Sequence, residues 1–201
     1  MRALLVTALL LGACGSSTDR VARAADTMEH LRGVRFSLEA TSGATGDAPI
    51  GGDLVLRYRA GGELVPPDRL RLVVSEPRPA TLVIVGGRIF LNGRPAESAV
   101  LRTLASPAAL LEQLREHGAV TFNGLGFAGG NVTARYRIER GDRGVVEVEL
   151  GLLDDLVRRQ TFSITQAAAP DGSGLPAVRT AYAVEYRDHG AALEIGEPGR
   201  P

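Results

Sequence analysis

Cys14 is the sole cysteine of this 201-residue chain, and it closes the run Leu11-Gly12-Ala13-Cys14 at the end of an apolar stretch, residues 3–11, that follows Arg2. A charged start, a short apolar segment and two small residues before a cysteine make a lipobox. Gly12 and Ala13 fit a signal peptidase beside the thiol, and in bacterial lipoproteins such a thiol is joined to a diacylglyceryl group before the preceding segment is removed. Two or more acyl chains then give lasting attachment, because each buried methylene contributes about 0.8 kcal/mol. The apolar stretch falls well short of the roughly 20 residues that a spanning helix needs. The expected organisation is a signal peptide over 1–13, a lipidated tether over 14–20 and one domain over 21–198, lipid-anchored on the extracytoplasmic face of the cell membrane. An ordinary buried cysteine and a secretory signal cut elsewhere are the alternatives.

Other chemistry is poorly supported. His30, His117 and His189 are far apart and show no metal-ligand spacing, so no metal or other cofactor is expected. His30 and His117 fall near helix C-termini, where the dipole favours a cation. No G-x-S-x-G elbow occurs, and lipidation would consume the only thiol, which leaves no catalytic residue to name. The run Gly124-Leu125-Gly126-Phe127-Ala128-Gly129 matches G-x-G-x-x-G, but the residues that follow, 131–137, read as a strand where a phosphate-binding turn needs a helix. Asn131-Val132-Thr133 reads as a strand start, and Arg140-Gly141-Asp142 as a turn. Asp154-Asp155 with Arg158-Arg159 reads as a solvated charged turn, with pairing to a lipid headgroup as the alternative.

Basic and acidic residues balance at 23 each, so nothing marks a nucleic-acid partner. With 44% hydrophobic residues the chain is long enough for one domain with a sizeable core, and a single cysteine allows no internal disulfide.

After a polar Gly15-Ser16-Ser17 tether, Val21, Ala24, Ala25, Met28 and Leu31 recur at helical spacing between Thr18-Asp19 and Gly33. The period then becomes two. Val34, Phe36, Leu38 and Ala40 alternate with polar residues, as do Leu54, Leu56 and Tyr58, then Leu70, Leu72 and Val74. A glycine-rich loop is expected over 43–52. Residues 81–85 and 88–91 flank Gly86-Gly87 as a hairpin. Ser106-Pro107 opens a second helix carrying Leu110, Leu111 and Leu114, with Gly118 as its stop. Strands are expected again over 119–122, 131–139, 144–150, 156–165 and 178–187, with a loop over 168–176 and a frayed tail from 196 onward. Short turns between many strands imply antiparallel pairing, since parallel pairing needs crossovers.

The order of these elements resembles the LppX/LprG-type envelope lipoproteins of LolA-like fold. The resemblance rests on Met28-Glu29-His30-Leu31 leading to Val34-Arg35-Phe36, and on the helix over 106–116 followed by 120–130. It rests further on Val146-Glu147-Val148-Glu149-Leu150 with Leu156-Val157-Arg158-Arg159, and on Tyr186-Arg187-Asp188-His189-Gly190 with 195–198. It implies an α+β fold: a curved, mostly antiparallel half-barrel with two or more helices on its concave side. It also implies an apolar cavity for the acyl chains of a lipid or lipoglycan, for transport or presentation in the envelope. The residues expected to line that cavity are Phe36, Leu38, Leu54, Leu56, Leu72, Val74, Leu82 and Ile84, with Leu110, Leu111 and Leu114 from the second helix. A fully packed core under the helices is the alternative, and a regulatory, sensing or structural lipoprotein that binds an envelope protein is the rival function.

Overall fold

The computed structural model describes residues 16–45, 56–97, 111–112, 114–115, 118–141, 144–166 and 177–199. Among these residues one complete helix, α1 (Ser17–Glu29), precedes eleven strands: β1 (Val34–Thr45), β2 (Leu56–Val65), β3 (Arg69–Glu76), β4 (Ala80–Val85), β5 (Arg88–Leu91), β6 (Arg94–Pro95), β7 (Ala119–Ala128), β8 (Asn131–Glu139), β9 (Val145–Gly151), β10 (Val157–Gln166) and β11 (Ala177–Arg187).

α1 forms where its sequence satisfies the first turn. Ser16 Oγ accepts from the Asp19 amide at 3.1 Å and Asp19 Oδ2 from the Ser16 amide at 3.2 Å, a reciprocal cap that occupies two otherwise orphaned donors. Val21, Ala24, Ala25 and Met28 make its buried stripe. The helix begins at Ser17, inside the span expected to be a tether, and it stops at Glu29 rather than running to Gly33. Residues 31–33 are used to turn into β1, where the Gly33 carbonyl accepts from the Gly190 amide at 2.8 Å.

All eleven strands form one antiparallel, curved and unclosed sheet in the order β6-β5-β4-β3-β2-β1-β11-β10-β9-β8-β7. Each half is a meander, and the seam between them pairs the first long strand with the last, from Arg35 opposite Arg187 to Thr45 opposite Ala177. Gly86 and Gly87 both take positive φ, 56° and 77°, as the two-residue β4–β5 turn requires. β7 runs on to Ala128 rather than ending near residue 122, so the glycine-rich run is strand and hairpin, with a register shift between Phe122 and Leu125.

Three expectations change. One complete helix is found among the described residues in place of two or more. Most of the second helix lies outside them, although Leu111, Glu112, Leu114 and Arg115 are helical. The tail is not frayed as far as residue 199 is described. Ile195 is buried with Val83 and Phe90 on the convex side of β4–β5, and Glu197 pairs with Arg88. Burial of an isoleucine outweighs the disorder that glycine and proline favour in an isolated tail. The loop expected over 43–52 gives way to β1 as far as Thr45; its remainder, like 168–176, lies outside the described residues.

Candidate functional site

The ladder register assigns the concave face. Val34, Phe36, Leu38, Ala40 and Ser42 point the same way as their directly opposed partners on β2 and β11, and the assignment propagates strand by strand. Reading the face in rows from the α1 end shows a gradient. Val34, Leu64, Leu70, Ile84 and Ile89 are sealed beneath the helical side, as are Phe36 and Tyr186 in the next row. Further along the same strands, Leu38, Tyr58, Leu72, Val74, Ile164 and Tyr182 are only half-buried and Leu56 is 41% exposed, while Ala40, Ala60 and Val184 stay buried among them. The β8–β10 side stays closed for longer, because Tyr136, Ile138, Val146, Val148 and Phe162 pack into the core. The result is an apolar trough that is filled near α1 and open toward the Thr45–Ala177 end, chiefly over β1–β3 and β11.

The expected cavity residues therefore divide. Phe36, Leu82, Ile84, Leu111 and Leu114 belong to the sealed core. Leu38 and Leu72 pack against its margin, Val74 is half-buried beside them, and Leu56 lies at the open end. Leu54, Leu110, His117 and Cys14 lie outside the described residues. Tyr182 and Ile164 alternate with polar or small neighbours in β11 and β10, but nothing local reveals that β11 lies beside β1 with β10 next to it.

The open part of the trough carries a few hydroxyl groups. Tyr58 and Tyr182 stand on either side of Ala40, whose small side chain separates their rings. The Tyr182 ring stacks on Phe162 with centroids 5.0 Å apart, and burial pushes its phenol above the ordinary value, partly opposed by a hydrogen bond with Thr180. One row further out, Ser42 Oγ and Thr180 Oγ1 share a hydrogen bond of 2.7 Å. No ionic group sits among these residues, so the trough offers apolar contact with hydroxyl donors at its rim.

Among the described residues, charge lies on the other surfaces and is largely self-paired. On the convex face a groove of about 530 Å³ is lined by Ser37, Glu39, Arg59, Arg159 and Glu185 among others. Within it Arg59 pairs with Glu39 at 3.3 Å and Arg159 with Glu185 at 3.0 Å, which leaves no field of one sign. The β9–β10 turn resolves in the same way: Asp154 pairs with Arg158, and Asp155 with Arg20 and Arg23. Arg158 also donates to Nδ1 of His189, whose Nε2 donates to the Val157 carbonyl at 2.8 Å. That arrangement is a neutral imidazole, and burial lowers its pKa. Among the described residues no cluster of potential metal ligands occurs.

No protein-family model matches the chain, and no curated protein matches it by sequence. Its structure is similar to that of lipoprotein LppX from Mycobacterium tuberculosis, at 9% identity, 90% coverage of this chain, 98% of that one and a TM-score of 0.51. LprF from Mycobacterium bovis is similar at 10% identity, with 90% and 96% covered and a TM-score of 0.47. A LolA superfamily protein from Nitrosomonas europaea aligns at 8% identity, with 91% and 96% covered and a TM-score of 0.40. The fold is LolA-like, of the LppX/LprG type.

Proposed function

We propose that this LolA-like half-barrel is a lipid-anchored, extracytoplasmic lipoprotein that holds acyl chains of a lipid or lipoglycan in its trough, for transport or presentation in the cell envelope. The observation that carries the reading is the burial gradient along single strands. Phe36 is sealed while Leu38, two residues on, is half-buried, and Leu64 is sealed while Leu56 is exposed, although all four share one face and only the small Ala40 and Ala60 stay buried between them on β1 and β2. Leaving apolar surface in water forgoes roughly 25 cal/mol per Å² of stabilisation, so a trough that stays open is best explained by an apolar occupant. The hydroxyl pairs near the mouth suit an ester or glycerol group, while acyl chains need only aliphatic contact. No catalysis is proposed.

Native mass spectrometry of the chain truncated after Cys14, purified from a bacterial host and then exposed to labelled fatty acids and phospholipids, tests this reading. Co-purified or bound lipid is the expected result. Recovery of the empty chain with no uptake of either probe refutes it and favours the protein-binding alternative. Acylation itself is tested on the full chain, where Cys14→Ser should abolish incorporation of labelled palmitate.

A further inference from the structure

Exposed large apolar side chains gather at one end of the sheet. Leu153, at the tip of the β9–β10 turn, is 91% exposed, and Phe127 is 66% exposed opposite the exposed Val132 at the β7–β8 hairpin. The two turns touch, since the Leu152 amide donates to the Val132 carbonyl at 3.2 Å. Leu125 extends the patch along edge strand β7. Singly exposed leucines are ordinary, but four large apolar side chains on adjoining turns form a patch.

The patch lies where the chain enters the fold. Arg20, in the first turns of α1, donates to the carbonyls of Gly151 at 3.2 Å and Leu152 at 2.9 Å and pairs with Asp155, so the helix N-terminus is fastened to the turn that carries Leu153. Cys14 precedes the cap residue Ser16 by two positions. Two residues span at most about 7 Å, so an acyl group on Cys14 would be tethered to the same helix N-terminus that Arg20 fastens to this turn. Both carboxylates of the turn, Asp154 and Asp155, are engaged by arginines, which removes the charge that would oppose approach to an anionic bilayer.

We infer that the β9–β10 turn with Leu153 and the β7–β8 hairpin with Phe127 and Val132 form a membrane-docking surface that seats on the bilayer holding the anchored Cys14. This rests on the anchoring proposed above and adds a fixed orientation to it. The trough opens at the other end of the same strands. β10 runs from the docking turn toward that end over 10 residues, which is roughly 30 Å, so the mouth faces away from the anchoring membrane.

The chain contains no tryptophan, so Leu153→Trp installs a single reporter in the patch and Val73→Trp installs one on the exposed convex face. Each variant is produced as the full processed chain and incorporated into phosphatidylcholine–phosphatidylglycerol vesicles containing brominated lipid, and the state of Cys14 is read from its mass. On acylated protein, indole emission from the Leu153→Trp chain should shift to the blue and be quenched, whereas emission from the Val73→Trp chain should do neither. Adding Phe127→Asp to the Leu153→Trp chain should reduce the quenching severalfold. Equal, unquenched emission from both reporters on acylated protein overturns the docking while leaving the anchor intact. A blue shift before vesicles are added overturns it in favour of contact with a second copy. An unmodified Cys14 removes the anchor and the docking with it.

Discussion

Tyr186 donates a hydrogen bond of 3.2 Å to Oε1 of Gln160 in the middle of the concave core, where both residues are buried. β10 and β11 bring them together, and burial drives the Tyr186 phenol well above its ordinary pKa, so it stays a neutral donor. A buried acceptor that loses a hydrogen bond carries the cost of its desolvation. Tyr186→Phe should therefore lower unfolding free energy by about 1–3 kcal/mol. The double variant with Gln160→Leu should lose less than the two single variants summed, as a shift of the urea midpoint in a double-mutant cycle would show.

Gly62 lies directly across from Phe36, and a Cβ at Gly62 would overlap the tip of the phenyl ring. Phe36 is sealed against Tyr186 and the helix-side core and has little room to move. Gly62→Ala should cost about 1–3 kcal/mol through overpacking. Phe36→Leu in the same chain should recover part of that loss, and thermal denaturation of the three variants reads the compensation.

Filling the open part of the trough should displace the proposed acyl occupant without disturbing the sealed part. Val74 is half-buried beside Ala60 and Ala80 in the ladder, so Val74→Trp places a large ring on the half-buried part of this face. Lipid retained in native mass spectra should fall severalfold while the circular dichroism spectrum is unchanged. Unaltered loading would place the acyl chains elsewhere.

His189 is held neutral in the fold, with its pKa lowered first by burial and then by the adjacent Arg158, against a hydrogen bond to Val157 that raises it. The unfolded chain therefore binds more protons than the native one between the depressed native pKa and the unfolded value near 6.5. The resulting stability is complete above that value and is lost as pH falls through the window. Urea midpoints should decline on acidification below about pH 6.5. His189→Asn should flatten that part of the profile.

Most elements were legible because their determinants are local. The stripe from Val21 to Met28 recurs at helical spacing, strand alternation has period two, and Gly86-Gly87 marks its own turn, whereas Ser16 caps α1 from within the expected tether. Alternation fixes which residues share a face, as Phe36 does with Leu38 and Leu82 with Ile84, but not which face turns inward. The extent of burial along that face did not follow. Leu38 and Phe36 look alike in the sequence, and their difference arises from what lies over each row. β1 meets β11 across almost the whole length of the chain, and residues 191–197 return to cover the convex side of β4 and β5. Local pattern sets the type and face of each element, whereas pairing over long sequence separations depends on the summed packing of all of them. The lipobox pattern expected over residues 2–14 lies outside the described residues, whereas the fastening of the α1 N-terminus to the turn that carries Leu153 depends on Arg20 reaching more than 130 positions along the chain.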